Sequence, residues 1–341
     1  MDENISNLGV AKLRGLGDAI IGLSTLSYLQ KTQKFSQLHY FVPQWVTPLF
    51  IPLRGPWAQI HGIHLQNWNG WLKSWSSLRS LKIQALLELN QTGRGSKFFK
   101  LSMMGRGPYF AHNHQPNSPR VVHDQGVIKP NIQRDLDGAW SFLKSLRLGD
   151  DLKTPANFLE CSPQVQLVNP VQKKQVVILG MIAQRETKLW PIPLVANFCK
   201  LFFEKFPEWQ LWAPVSGSHV DQNLKKQLQS LVRDERLKII EVPLSELAIS
   251  VAQGVAYVGN DTGLKHLALA LGLRTLTLFG GEDPMEWHPY DPIQHPFFYQ
   301  PGLECRTRTG HFCGLMTCDS MICLNQFPPT SVLEKLVPLI S

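Results

Sequence analysis

The sequence predicts an α/β protein made of two parallel-sheet domains, and three observations lead there. Short apolar runs alternate with amphipathic helical stretches from Val10 to Val42. The same alternation resumes at Val176 and continues to Phe279, a pattern that implies parallel sheets joined by right-handed crossovers. At 341 residues the chain is long for one domain and comfortable for two, each able to bury a core. Pro163, Pro170 and polar residues interrupt the pattern between Cys161 and Gln175, so the domains are drawn as 1–168 and 169–341.

In the first half, Val10 to Leu13 is strand-like and Arg14-Gly15-Leu16-Gly17 is a glycine-containing turn. From Asp18 the pattern becomes helical, with Ile20, Ile21, Leu23, Leu26 and Leu29 on one face as far as Gln30. A strand follows at Leu38 to Val42. The glycines let the backbone approach a ligand, and Asp18 stands where the helix begins, a place that also suits a plain N-cap. Residues 50–135 are the least regular. Trp68, Trp71, Leu72, Trp75 and Leu78 recur at helical spacing beside Lys73, Arg79 and Lys82. Such a helix suits a membrane interface, and equally a core helix with snorkelling cations. Gly93 to Pro108, with flanking glycines, four cations and Phe98-Phe99, reads as a mobile loop or a membrane-contacting segment.

The second half reads as a strand at Val176 to Leu179, a helix near 192–206, a strand at Gln210 to Ala213 and a helix near 219–234. A strand at Leu237 to Val242, a helix at Leu244 to Gln253 and a strand at Val255 to Gly259 continue the series. A last helix at Ser331 to Ile340 is open to packing back on the first domain. The most informative stretch is Tyr257 to Gly280. Its apolar run ends at Gly259-Asn260, Asp261-Thr262-Gly263 follows, and Leu264, Leu267, Ala268 and Leu271 then recur helically before Gly272 and a strand at Thr275 to Phe279. Ligands of open parallel sheets bind beyond the carboxyl ends of the strands. The first turn of the helix also favours an anion such as a diphosphate. His266, four residues after Thr262, shares its face. Taken alone, Asp261 or Thr262 serves equally well as a cap and His266 as a core residue.

NDTGLKHLALALG resembles the donor-site signature of the glycosyltransferase family 9 heptosyltransferases: Asp-Thr-Gly, two residues, His-Leu, then an alanine-bearing run to Gly. LRGLGDAIIGLSTLSYL is similar to the N-terminal segment of that family, whose catalytic base matches Asp18; Ser24 stands where relatives carry proline. Gly180 to Pro191 resembles a third segment, in which the diphosphate-binding lysine matches Lys188, although Met181-Ile182 replace small or hydroxylated residues. Phe279-Gly280, Pro284, Trp287 and Pro289 match a fourth. The four segments occur in the family's order and span both halves. The resemblance implies a GT-B fold, two Rossmann-like parallel-sheet domains facing a cleft, with an acceptor-side first domain and a donor-binding second. It implies inverting transfer of a heptose or related sugar from an ADP-sugar to a lipopolysaccharide inner-core acceptor. Asp18 would be the base. Lys188, Asp261, Thr262, Gly263 and His266 would bind the donor, with Gly17 and Gly280 in supporting loops. No cofactor is expected besides the nucleotide sugar, ADP-heptose, which is a substrate.

The net charge of +8 fits such an acceptor once it is located. Residues 1–165 hold 18 Lys and Arg against 10 Asp and Glu, while the remainder holds 16 of each, so the whole excess lies in the first half. Between Arg54 and Arg134 eleven basic residues face only Glu88 and Asp124. A surface of this kind attracts polyanions, here an acidic phosphorylated glycolipid and the inner-membrane surface, with no nucleic acid expected. The acidic, polar start MDENISN is no signal peptide, and no apolar stretch approaches the ~20 residues of a spanning helix, so a cytoplasmic, membrane-peripheral protein is expected. Cys305, Cys313, Cys318 and Cys323 lack the paired spacing of common zinc sites and read first as structural thiols, second as a metal site. Three other readings stay open: a family 9-like transferase using another nucleotide sugar, a hydrolase or epimerase of the same nucleotide-sugar fold that needs no glycolipid acceptor, and a non-catalytic GT-B protein that holds an anionic membrane or glycolipid surface.

Overall fold

The computed structural model of the chain describes residues 5–89, 93–111, 130–149, 151, 156–305, 313 and 315–341. Arg120, Asp124 and Lys129 of the basic segment lie outside them. The chain forms two compact units, Met1–Gln166 and Leu167–Ser341.

The first unit holds strands β1 (Asn7–Ala11), β2 (Gln37–Pro43), the two-residue β3 (Leu53–Arg54), β4 (Gln59–Ile63), β5 (Ala85–Glu88) and β6 (Tyr109–Ala111). Five of them make a parallel sheet ordered β4-β2-β1-β5-β6. β1 sits at its centre and is buried from Leu8 onward, as a strand covered on both faces must be. Its two neighbours run off in opposite directions from it, so its carboxyl end is a topological switch point. The turn carrying Gly15 and Asp18 leaves from there.

The helix after this turn starts earlier than its apolar spacing predicts, and it is broken. α1 spans Leu16–Ile21 with Gly15 as its N-cap, and α2 spans Leu23–Lys31. Asp18 is therefore inside the first turn and is not the cap. The break at Gly22 has a tertiary cause: the Tyr40 hydroxyl, on β2, donates to the carbonyl of Ala19 at 2.8 Å, taking the acceptor that an unbroken helix offers to residue 23. A Cβ at Gly22 would overlap that same hydroxyl.

The stretch read as a loop, Gly93 to Pro108, is helical over α4 (Gly93–Met103). Phe98, Phe99, Ser102 and Met103 are buried on one face, with Phe99 edge-on to Phe41 at 6.0 Å and Phe98 to Trp71 at 5.6 Å. That apolar face outweighs the flanking glycines, and Gly105, at φ 75°, follows the helix end in the left-handed region. α3 (Trp68–Ser80) is the tryptophan-bearing helix. Trp68, Trp71 and Trp75 stack along it with centroids 5.7 and 6.3 Å apart. Trp71 and Trp75 pack on the core, while Trp68 is 69% exposed. α5 (Asn131–Ser145) completes the unit and sends Asp135 to a buried ion pair with Lys12.

The second unit begins after the short β7 (Gln166–Leu167). Strands β8 (Val176–Gly180), β9 (Gln210–Val215), β10 (Leu237–Glu241), β11 (Ala256–Asn260), β12 (Arg274–Leu278) and β13 (Phe297–Phe298) form a parallel sheet ordered β10-β9-β8-β11-β12-β13. The helices are α6 (Ile192–Lys205), α7 (His219–Leu231), α8 (Leu244–Ala252), α9 (Gly263–Ala270), the single turns α10 (Pro284–Trp287) and α11 (Ile322–Asn325), and α12 (Pro329–Ile340). α12 packs against α6, β11 and β12, and its Val332, Leu333, Leu336 and Leu339 are taken up in the core of the second unit itself.

Strand order reverses between β8 and β11, so the second switch point lies at their carboxyl ends. Gly259 on β11 pairs with Gly180 on β8. Gly259 adopts φ 148°, and a Cβ there would overlap the Gly180 backbone. A Cβ at Gly180 would overlap the Tyr257 side chain instead, so each position excludes a side chain for its own reason.

Candidate functional site

At the second switch point the sheet delivers Asn260 and Asp261. The Tyr257 hydroxyl donates to the Asn260 carbonyl at 2.6 Å, fixing the strand end. The Asn260 side-chain oxygen in turn accepts from the Trp190 main-chain N–H at 2.9 Å, which ties the loop after β8 to β11. This loop brings Lys188 over Asp261, its Nζ 3.0 Å from Oδ2 of Asp261 and 3.6 Å from Oε1 of Glu282. Gly280 permits the approach from the other side, since a Cβ there would overlap the carbonyl of Thr187. Arg185 pairs with the same Glu282.

Asp261 also accepts from a second ammonium. Lys265, one helical turn on, donates from Nζ to Oδ1 of Asp261 at 2.7 Å and to the Trp287 carbonyl at 3.1 Å. Burial alone would raise the Asp261 carboxyl, but the charges of Lys188 and Lys265 outweigh it and hold the group well below the usual carboxylate range. Among the described residues, the cations Lys188, Lys265 and Arg185 thus meet the anions Asp261 and Glu282 in one cluster.

Thr262 is the N-cap of α9 in extended conformation, and no side chain caps that helix among the described residues. Asp261 and Thr262 therefore do not act as its side-chain caps. The N–H groups of the first turn, beginning at Gly263, and the positive end of the dipole lie beside the cation cluster. His266 is buried on this helix; burial first, then Lys265, push its pKa well below the ordinary value, so it is neutral. Its Nδ1, Asn260 Nδ2, Trp287 Nε1, His288 Nδ1 and the Tyr290 hydroxyl are buried and have no hydrogen-bonding partner among the described residues. Polar groups left in this state around one cation cluster are what a polar ligand would satisfy.

In the first unit, Asp18 is half-buried at the third position of α1, and its carboxylate reaches back to the Gly15 N–H at 3.4 Å, a long hydrogen bond. Gly17 precedes it within the same turn. The Lys12–Asp135 pair is buried beside the Tyr40 ring that props this turn.

Lys188, Asp261, Thr262, Gly263, His266 and Gly280 thus converge in the second unit, and Gly17 with Asp18 lies at the corresponding strand end of the first. Sequence reasoning missed Asn260, Lys265, Glu282, Arg185 and the Lys12–Asp135 pair. Only Lys265 carried a readable signal, its four-residue spacing from Asp261. Cys305, Cys313, Cys318 and Cys323 border one small apolar cavity with Leu315 and Ile322. No three Cys, His, Asp or Glu side chains are grouped for a metal ion among the described residues.

A sequence model of glycosyltransferase family 9 (heptosyltransferase) matches residues 126–309, more than half of the chain. Lipopolysaccharide heptosyltransferase 1 of Campylobacter coli is 22% identical over 302 residues, which cover 80% of this chain and 83% of the relative. Among solved structures, the E. coli ADP-heptose lps heptosyltransferase II superposes with a TM-score of 0.71 at 19% identity over 98% of each chain. E. coli heptosyltransferase WaaC, solved with ADP, gives 0.69 at 13% identity over 98% of this chain and 100% of its own.

Proposed function

We propose, from the premise that this chain belongs to glycosyltransferase family 9 and has the GT-B fold, that it moves a heptose from ADP-heptose to a lipopolysaccharide inner-core acceptor with inversion. One observation carries the reading furthest: Lys188 and Asp261 meet at the head of α9, whose start no side chain caps among the described residues, with Lys265 beside them. A sugar diphosphate has the complementary chemistry, an anion for Lys188 and hydroxyls for Asp261.

In the reaction the Asp18 carboxylate accepts the proton of an acceptor hydroxyl as that oxygen attacks the anomeric carbon. The bond from that carbon to the diphosphate oxygen breaks, and the electron pair leaves with the diphosphate. Lys188 and the N–H groups at Thr262 and Gly263 stabilise the charge developing there. Attack opposite the leaving group inverts the configuration. His266, neutral and buried, supports the donor by hydrogen bonding.

The acceptor is an acidic, phosphorylated glycolipid held at the cytoplasmic face of the inner membrane. No helix among the described residues is long and apolar enough to cross a membrane. Peripheral contact is assigned to the face where Trp68 and Leu72 of α3 and Leu101 and Met104 beside α4 are exposed. Lys73, Lys97 and Lys100 accompany them, and neither helix carries an acidic residue. Aromatic and aliphatic tips flanked by cations suit an anionic lipid surface.

The test is ADP release from ADP-heptose with and without a Kdo-bearing lipid A acceptor, for the native protein and Asp18→Asn. Acceptor-dependent release is expected, falling by roughly 10²-fold or more in the variant with ADP binding intact. Release without acceptor would indicate hydrolysis, and absence of binding across nucleotide sugars would leave the non-catalytic reading.

A further inference from the structure

Two lysines contact one carboxylate at this site, and they are not equivalent. Lys188 comes from a single turn in the loop after β8, keeps 20% of its side chain exposed, is shared between Asp261 and Glu282, and also lies 3.5 Å from the Asp261 carbonyl and 6.0 Å from the Trp287 ring. Lys265 stands in the first turn of α9 with 0% exposure. It is held at three points: Oδ1 of Asp261, the Trp287 carbonyl at 3.1 Å and the Phe279 ring at 5.2 Å. Lys188 keeps access to solvent. Lys265 has none.

We propose that Lys265 is a positioning residue, the resident counter-ion of Asp261, which keeps that carboxylate ionised and in place while Lys188 is given up to the diphosphate of the donor. The proposal rests on the donor-binding reading above. Among the described residues Asp261 then keeps Lys265 and Glu282 keeps Arg185 when Lys188 is given up. Without Lys265, moving Lys188 onto phosphate would leave Asp261 buried with no cation, a state that buried charges avoid. Lys188 would stay on Asp261 and be withheld from the donor. The one spacing at work, Asp261 to Lys265, thus separates two tasks, holding the carboxylate and binding the anion, that a single lysine cannot perform at once.

The discriminating readout is the pH dependence of ADP binding by calorimetry, native protein against Lys265→Met, with Lys188→Met as a control. The groups facing Asp261 are Lys188 and Lys265, with Glu282, His266, His288, Tyr257 and Tyr290 around them, and the histidines are neutral in the fold. At pH 8, Lys265→Met is expected to weaken ADP binding at least tenfold relative to native. The deficit should shrink towards pH 5.5, because Asp261, left with one cation, takes up a proton and releases Lys188. Comparing the two proteins at each pH removes the titration of ADP itself. In steady-state kinetics the loss should fall on donor KM more than on kcat.

A deficit that is absent, or that is equal at every pH, overturns the proposal. If native protein binds no ADP, or Lys188→Met binds it as native does, the donor-binding reading itself fails and not this inference alone. Lys265→Gln, which keeps a hydrogen-bond donor without the charge, should behave like Lys265→Met. It also serves if the methionine variant does not fold.

Discussion

The side-chain oxygen of Asn260 accepts the main-chain N–H of Trp190 at 2.9 Å, and this one hydrogen bond joins the end of β11 to the loop that carries Lys188. Both partners are buried. Replacing Asn260 by Leu strands the Trp190 N–H without a partner. The expected stability loss is about 1–3 kcal/mol, seen as a lower urea midpoint with an unchanged slope. Donor KM should rise because Lys188 is no longer held over Asp261, while catalysis at saturating donor is less affected.

Gly259→Ala should be among the most damaging single substitutions in the chain. The residue sits at φ 148°, where L side chains are strained, and the added methyl would overlap the Gly180 backbone on the adjacent strand. Strain and overlap together should cost about 3 kcal/mol or more. Gly272→Ala is the control, because Gly272 has a positive φ with open space around it, so only the conformational part should appear. Thermal melts of the two variants separate these effects.

Acid should destabilise the second unit before its carboxylates titrate. His288 is buried, donates from Nε2 to the His295 carbonyl at 2.8 Å, and is pushed down to about 3 by burial first and then by Lys265. In the unfolded chain it titrates near 6.5. Between those values the unfolded state binds the extra proton, so stability falls as pH drops below 6.5. This one group contributes a loss of about 2 kcal/mol by pH 5. His295, pushed down to about 4 mainly by burial, acts in the same direction. Urea midpoints measured from pH 7 to 5 should fall, and His288→Asn should flatten that slope by close to one proton.

The exposed face of α3 and α4 should bind vesicles containing one-third anionic lipid and ignore neutral ones. Lys97→Gln with Lys100→Gln removes two exposed cations from α4 at about 1 kcal/mol each, or roughly 30-fold in partitioning. Trp68→Ser should weaken binding without changing its salt dependence, whereas the lysine pair should lower the salt sensitivity. Both variants should retain native ADP binding, because the substituted residues lie in the first unit and the Lys188 cluster in the second.

Much of this protein could be read from its residues alone. Apolar runs at strand length, alternating with helical spacing, identified the parallel α/β class. The Asp261-Thr262-Gly263 turn was legible because a strand end, a polar step and a helix start coincide there. Local spacing failed where a distant residue intervened. The helix after Gly17 is broken because Tyr40, on the next strand, takes the Ala19 carbonyl. The segment from Gly93 is a helix because Phe98 and Phe99 find Trp71 and Phe41.

The charges of the site were decided in the same way. A run such as Asp261 to Lys265 shows which groups stand one helical turn apart, since helical geometry makes that pair local. It does not show that Lys188 crosses from another strand to the same carboxylate, or that Glu282 and Arg185 pair beside it. The sequence by itself determined the strand end, the polar step after it and the helix start that follows. Only the tertiary structure decided which lysine is fully buried and which keeps solvent access, because burial is a property of packed neighbours and not of spacing along the chain.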